Sequence, residues 1–134
     1  MVDFIGSHTF EELCREWVSA EGDAGRLPFV PERVGSFWSA TAQVDVVAVN
    51  WMEKEILLGD AKWSHDPAGR RIVTELVDKA PRVVPEEDWT VRYDVFARAG
   101  FTVPARAAAE EHGVLLVDLE RLDRDLSTLA VRLS

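Results

Sequence analysis

With 134 residues of which 47% are hydrophobic, this chain has the material for one domain's core and not for two, and its single cysteine, Cys14, excludes an internal disulfide and any zinc site built on several thiolates. A net charge of −9, from 24 acidic against 15 basic residues, argues against a free-standing nucleic-acid binder, whose affinity rests on neutralising phosphates. No basic-plus-apolar leader opens the chain and no run of about 18 apolar residues is present, so the expectation is a soluble, cytoplasmic domain over residues 1–134 with no membrane contact, residues 1–9 serving as linker or flexible start.

In chain order, the first predicted element is a helix from Thr9. Phe10, Leu13, Cys14, Trp17 and Val18 recur at helical spacing, Thr9 is placed to cap it, and Glu21 to Gly25 ends it. Leu27 to Gly35 carries prolines and reads as loop or extended chain. Two strands follow, Gln43 to Asn50 and Ile56 to Trp63, joined by a connection short enough for an antiparallel hairpin. Ser64 to Pro67 breaks the second strand, and Arg70 to Ala80 reads as a helix burying Ile72, Val73, Leu76 and Val77 until Pro81 stops it.

Pro85 to Asp88 is a turn, and Thr90 to Phe96 alternates as a strand. A helix from Pro104 to His112 closes at Gly113; Val114 to Asp118 is a strand whose composition suits burial on both faces; Glu120 to Leu129 is a last short helix. The order predicts an α/β sheet, antiparallel at its first hairpin and parallel later, with helices on both faces. Ligand sites in such sheets gather at strand ends.

The chemistry-bearing residues fall at such ends. Asp45 sits in an apolar strand, where a lone carboxylate is costly to bury, and Asp60-Ala61-Lys62 ends the next one, its Asp and Lys on one face by the two-residue period. Two carboxylates suit a hard divalent ion, with the carbonyl of Ala61 as a further ligand, while Lys62 can orient a water and offset negative charge on a phosphate. The structural alternatives are an ion pair for Asp45 and a mutual pair for Asp60 and Lys62. Arg70, Arg71, Lys79 and Arg82 form the best basic cluster, which reads equally as a solvated helix face or, for Arg70 and Arg71, as nucleic-acid contacts. Trp38, Trp63 and Cys14 read as core, and no Gly-rich phosphate loop is present.

The order Phe10-Glu11, Asp45, Asp60-Ala61-Lys62 resembles the PD-(D/E)XK nuclease superfamily, with its restriction-endonuclease-like mixed sheet flanked by helices. Gly35 with its aromatic pair, Gln43-Val44-Asp45-Val46-Val47-Ala48, Leu58-Gly59-Asp60-Ala61-Lys62-Trp63 and Ala97-Arg98-Ala99-Gly100-Phe101-Thr102 look more closely like the nuclease-like domain at the C-terminus of many archaeal and bacterial AAA-type ATPases. The resemblance implies that Glu11 reaches the site of Asp45, Asp60 and Lys62, and that Mg2+ or Mn2+ is held by Asp45, Asp60, Glu11 and the Ala61 carbonyl. It further implies cleavage of DNA phosphodiester bonds beside, or fused to, an AAA-type ATPase domain in cis or in trans. Two alternatives stand beside it: a non-catalytic module of the same fold that docks to the ATPase or to nucleic acid, and an assembly domain that pairs with a copy of itself as a homodimer.

Overall fold

A computed structural model describes the backbone of residues 2–133 and the side chains of residues 9–127. Five strands form one mixed sheet in sequential order: β1 (Arg33–Trp38), β2 (Gln43–Asn50), β3 (Glu55–Lys62), β4 (Thr90–Ala97) and β5 (Val114–Asp118). The first three run as an antiparallel meander, and β3, β4 and β5 are parallel. Parallel neighbours need crossovers, supplied by α2 (Arg70–Lys79), a 3-10 turn at Ala80–Arg82 and α3 (Val103–His112). The expected sheet, antiparallel first and parallel later between helix layers, is the sheet observed.

Two apolar clusters define its faces. On one, Val73 and Leu76 of α2 and Ala108 and Ala109 of α3 pack on Ile56, Leu58 and Val95. On the other, Phe10, Cys14, Trp17 and Val18 of α1 (Val2–Asp23) and Leu122 of α4 (Leu119–Leu133) pack on Val46, Leu57 and Phe96. Central β3 is buried from Ile56 to Asp60, as a strand covered on both sides has to be.

Local signals account for most boundaries. The β2–β3 turn lacks an Asn-Gly pair; instead Asn50 accepts from the Glu53 amide at 2.8 Å and donates to the Val30 carbonyl at 2.9 Å, and Lys54 takes φ 56° to complete it. Thr102 caps α3, its hydroxyl accepting from the Ala105 amide at 3.1 Å, and Gly113 ends it at φ 69°. Thr102→Ala is therefore expected to cost about 1 kcal/mol in urea unfolding, and Thr102→Ser to cost less.

Beyond shifts of one residue at element ends, the structure differs from the sequence expectations in the following ways. Thr9 lies inside α1 rather than capping it, and the stretch expected to be linker, residues 1–9, is helical from Val2. Arg33–Trp38, expected as loop through Gly35, is an edge strand, because pairing with β2 supplies the hydrogen bonds its sequence pattern does not advertise. β5 is the other edge, so Leu115 is 40% exposed instead of covered. Trp38, read as core, is 80% exposed at the end of β1. The last helix begins one residue earlier than expected and continues to Leu133. No helix among the described residues is long and apolar enough to cross a membrane.

Candidate functional site

Because β2 runs against β3 while β4 and β5 run with it, the start of β2 and the ends of β3, β4 and β5 meet at one rim of the sheet. Asp45 and Asp60 lie at that rim. The backbone ladder between β2 and β3 ends at Val46 opposite Gly59, and one step further carboxylates take over the pairing. Asp45 Oδ2 accepts from the Ala61 amide at 2.9 Å, and Asp60 Oδ1 accepts a long bond from the Asp45 amide at 3.4 Å.

A bulge in β2 sets the aim of Asp45. Gly35 pairs with Val47 and Phe37 with Val44, so Asp45 and Val46 together face the single residue Ser36. The extra residue breaks the two-residue alternation: Val44 packs with the α2/α3 face and Val46 with the α1/α4 face. Asp45, between them, is turned toward the end of β3. From α1, Arg15 donates to the Asp45 carbonyl at 2.9 Å, fixing the backbone there.

The cation on Asp60 comes from α2. Lys79 Nζ lies 2.5 Å from Asp60 Oδ2, with both side chains largely buried, and just beyond it Arg82 donates to the Thr41 carbonyl at 3.4 Å, tying the end of α2 to the approach to β2. Lys62, whose pairing with Asp60 was the structural alternative, is exposed and forms no ion pair among the described residues. Its carbonyl accepts from the Arg98 amide at 3.1 Å on the β4 side, so by strand parity the N–H and C=O of Ala61 point the other way, toward Asp45. The sequence did carry one sign of Lys79: it lies three residues after Leu76, beside the buried stripe of α2.

Burial is the leading influence on both acids. It raises the proton affinity of Asp45, against the Ala61 hydrogen bond and the charges of Lys79 and Arg15 and with the charge of Glu11 adding to it. Asp60 is also raised by burial, which outweighs the opposing hydrogen bond and charge of Lys79. Glu11 is half-buried on α1 and its charge acts on Asp45, while Glu12 is exposed; the ring of Phe10, beside Glu11, packs 5.1 Å from Trp63 just after β3. Arg98 lies over the Trp63 ring at 4.2 Å.

Oxygen donors of this kind suit a hard divalent ion, and Mg2+ is commonly held by one or two carboxylates with water filling the other positions. Asp45 and Asp60 are two such carboxylates at one rim. The fuller centre expected with Glu11 is not assembled: among the described residues, no three His, Cys, Asp or Glu side chains come together to hold a metal. Arg70 and Arg71 are exposed but paired, Arg70 with Glu111 at 3.6 Å and Arg71 with Glu75 at 2.6 Å. Cys14 is core, its thiol pushed up by burial and, less, by the charge of Asp45. A cavity of about 550 Å³ opens between Val77, Ala80, Val84, Trp89 and Tyr93, and none of Glu11, Asp45, Asp60 or Lys62 lines it.

A family model described as archaeal and bacterial proteins of unknown function, DUF234, matches residues 2–74, from α1 into α2 and including Asp45, Asp60 and Lys62 but not Lys79. An uncharacterised protein of Methanocaldococcus jannaschii, MJECL04, is 25% identical over 114 residues, covering 83% of this chain and 24% of that protein. The chain thus spans about a quarter of the length of that curated relative. Among solved structures, a repair endonuclease from Pyrococcus abyssi superposes with a TM-score of 0.56 at 17% identity, over 81% of this chain and 46% of its own. A complex of EndoMS with double-stranded DNA superposes with a TM-score of 0.52 at 18% identity, over 82% of this chain and 42% of its own. At such identities the likeness is one of fold: a mixed sheet flanked by helices, of the restriction-endonuclease-like, nuclease-like kind.

Proposed function

We propose, from the premise that this chain belongs to the DUF234 family, that it is a metal-dependent nuclease module cleaving phosphodiester bonds of DNA. The observation that carries the reading is the convergence of Asp45 and Asp60 at the rim of a nuclease-like sheet, where Asp45 accepts from the Ala61 amide and Asp60 from the Asp45 amide. One protein that shares this fold is named as a repair endonuclease and another, EndoMS, is seen in complex with double-stranded DNA, which supports DNA as the substrate here.

In this reading Asp45, Asp60 and the Ala61 carbonyl hold Mg2+ or Mn2+, and Glu11 adds negative charge at the edge of the site. The ion supplies charge stabilisation at the phosphate and acidifies a water. Arg15 and the Ala61 amide keep Asp45 fixed in the bulge, limiting reorganisation during the reaction. Lys62, exposed at the end of β3, is free to reach a phosphate outside the protein and to orient a water, and Arg70 and Arg71 can exchange their surface partners for backbone phosphates.

Because the net charge of −9 disfavours long-range attraction of DNA, an AAA-type ATPase domain in cis or in trans is the proposed partner that delivers substrate. About three quarters of the M. jannaschii relative lies outside the match, leaving room in that protein for such a domain. The second reading, a docking module without catalysis, is favoured by one observation: Lys79 occupies an oxygen of Asp60.

Branched, single-stranded and duplex DNA incubated with the domain, Mn2+ and low salt decide between the two. Weak cleavage is expected, lost with chelator and suppressed by salt. Asp45→Asn and Asp60→Asn are each expected to reduce it at least ~100-fold, as is Lys62→Ala, which should leave the melting temperature unchanged. Cleavage undiminished in all three variants would place the activity elsewhere. No cleavage by the wild type, even with the ATPase partner added, would favour the docking module.

A further inference from the structure

We propose that Lys79 is the resident cation of this site, an ammonium that neutralises Asp60 in the absence of a divalent ion and that the ion has to displace. The inference rests on the metal-site reading above and concerns what regulates it. Lys79 Nζ sits 2.5 Å from Asp60 Oδ2, in a pair whose side chains are 20% and 12% exposed, and its charge also reaches Asp45. A magnesium-sized ion ligated by the same oxygen would lie about 2.1 Å from it. Ion and ammonium would then be within a few ångströms of each other in a poorly screened place, where like charges repel strongly.

Charge balance points the same way. Asp45 and Asp60 together offer two negative charges, matching a divalent ion, but with Lys79 seated only one remains uncompensated. Lys62 makes no competing claim, because it forms no ion pair with either acid. The flexible four-carbon stem of a lysine lets its head group leave without moving the helix axis, which a short or planar cation would not allow as readily.

The seat of Lys79 lies beside a second tie, between the end of α2 and the approach to β2. Lys79 is the last residue of α2, and the turn that follows carries Arg82, bonded to the Thr41 carbonyl near the start of β2. Metal binding at the rim is thereby linked to the end of α2. The resident lysine makes metal affinity low by construction and gives any partner that draws Lys79 away a means of raising it.

Calorimetry with Mn2+ on the wild type, Lys79→Met, Lys79→Arg and the Asp60→Asn/Lys79→Met double variant tests the proposal. Lys79→Met keeps the stem and removes the charge, so it is expected to bind Mn2+ at least about tenfold more tightly than wild type. Lys79→Arg is expected to stay weak, and the double variant to lose the gain. Equal or weaker binding by Lys79→Met, with the wild type binding measurably, overturns the resident-cation role and leaves the metal site standing. No binding by either protein removes the metal site and the inference with it. Should Lys79→Met fail to fold, Mg2+ titration of the wild type, followed at the Lys79 ε-methylene resonances, gives the answer: a saturable shift supports displacement, and resonances that do not move while other rim residues respond overturn it.

Discussion

Asp94→Asn is expected to stabilise the domain at pH 8 by about 2–4 kcal/mol and to change it little near pH 4. Asp94 is 4% exposed on the α1/α4 side of β4, and its Oδ2 has no hydrogen-bond partner among the described residues. Burial pushes its pKa up to about 7, against the charge of Arg121 and with a small addition from Glu21. In the unfolded chain the same group titrates near pH ~3.9. The folded state therefore holds the proton more tightly. The stability this contributes is complete below the unfolded pKa, declines as pH rises between about 4 and 7, and is gone above the folded pKa. Asn keeps the shape and cannot ionise, so the variant should lack the share of the pH dependence that Asp94 contributes over that window. Urea unfolding of both proteins at three pH values measures this, and parallel wild-type and variant curves would show that Asp94 titrates in the folded protein as it does in the unfolded chain. Asp45 and Asp60, also raised, act in the same direction, so the wild type should lose further stability as pH rises through their titration.

Trp17→Ala is expected to cost about 3–5 kcal/mol, a large share of the roughly 5–15 kcal/mol that holds a domain folded. The indole is 1% exposed, meets Phe96 edge-on at 5.8 Å and donates to Asp125 at 2.8 Å, while Arg121 lies 5.4 Å over the ring. One side chain thus joins α1, the sheet and α4. Its removal leaves a cavity between layers and takes a hydrogen bond from Asp125, which is only partly exposed. Trp17→Phe keeps the ring contact and loses the bond, so it should cost about 1–2 kcal/mol. Denaturant unfolding in which the two variants were equally affected would show that the indole N–H, rather than volume, dominates.

How far the sequence could be read depended on whether each signal was local. β2, β3, α2, β4, α3 and β5 were legible because an apolar period, a cap or a glycine stop marks each one within its own span. β1 was not, since none of its residues is fully buried, Gly35 interrupts it, and its strand character comes from pairing with a bulged neighbour. Thr9 looked like a cap because Phe10 opens the buried stripe, yet a helix can continue beyond the stripe it buries. The meeting of Asp45 and Asp60 was legible for the same reason as the hairpin: a short turn sets which residues face each other. The seat of Lys79 on Asp60 was not, because its place beside the buried stripe of α2 does not report that the end of α2 returns over β3. Trp38 misled in the opposite way, being an apolar residue at a strand end that nothing among the described residues covers.

The packing of α1 with α4 on one face has a consequence for how the protein is made. α1 is complete by residue 23, but the helix that shields Phe10, Trp17 and Val18 beside it extends to residue 133. At a ribosomal rate of about 5–20 residues per second, roughly 110 intervening residues leave that stripe without its C-terminal cover for about 5–20 seconds. The opposite face can close sooner, since β3, α2, β4 and α3 emerge in the order in which they pack. Nascent chains stalled before residue 119 should therefore carry a finished α2/α3 layer and an adhesive α1, in the condition that recruits chaperones.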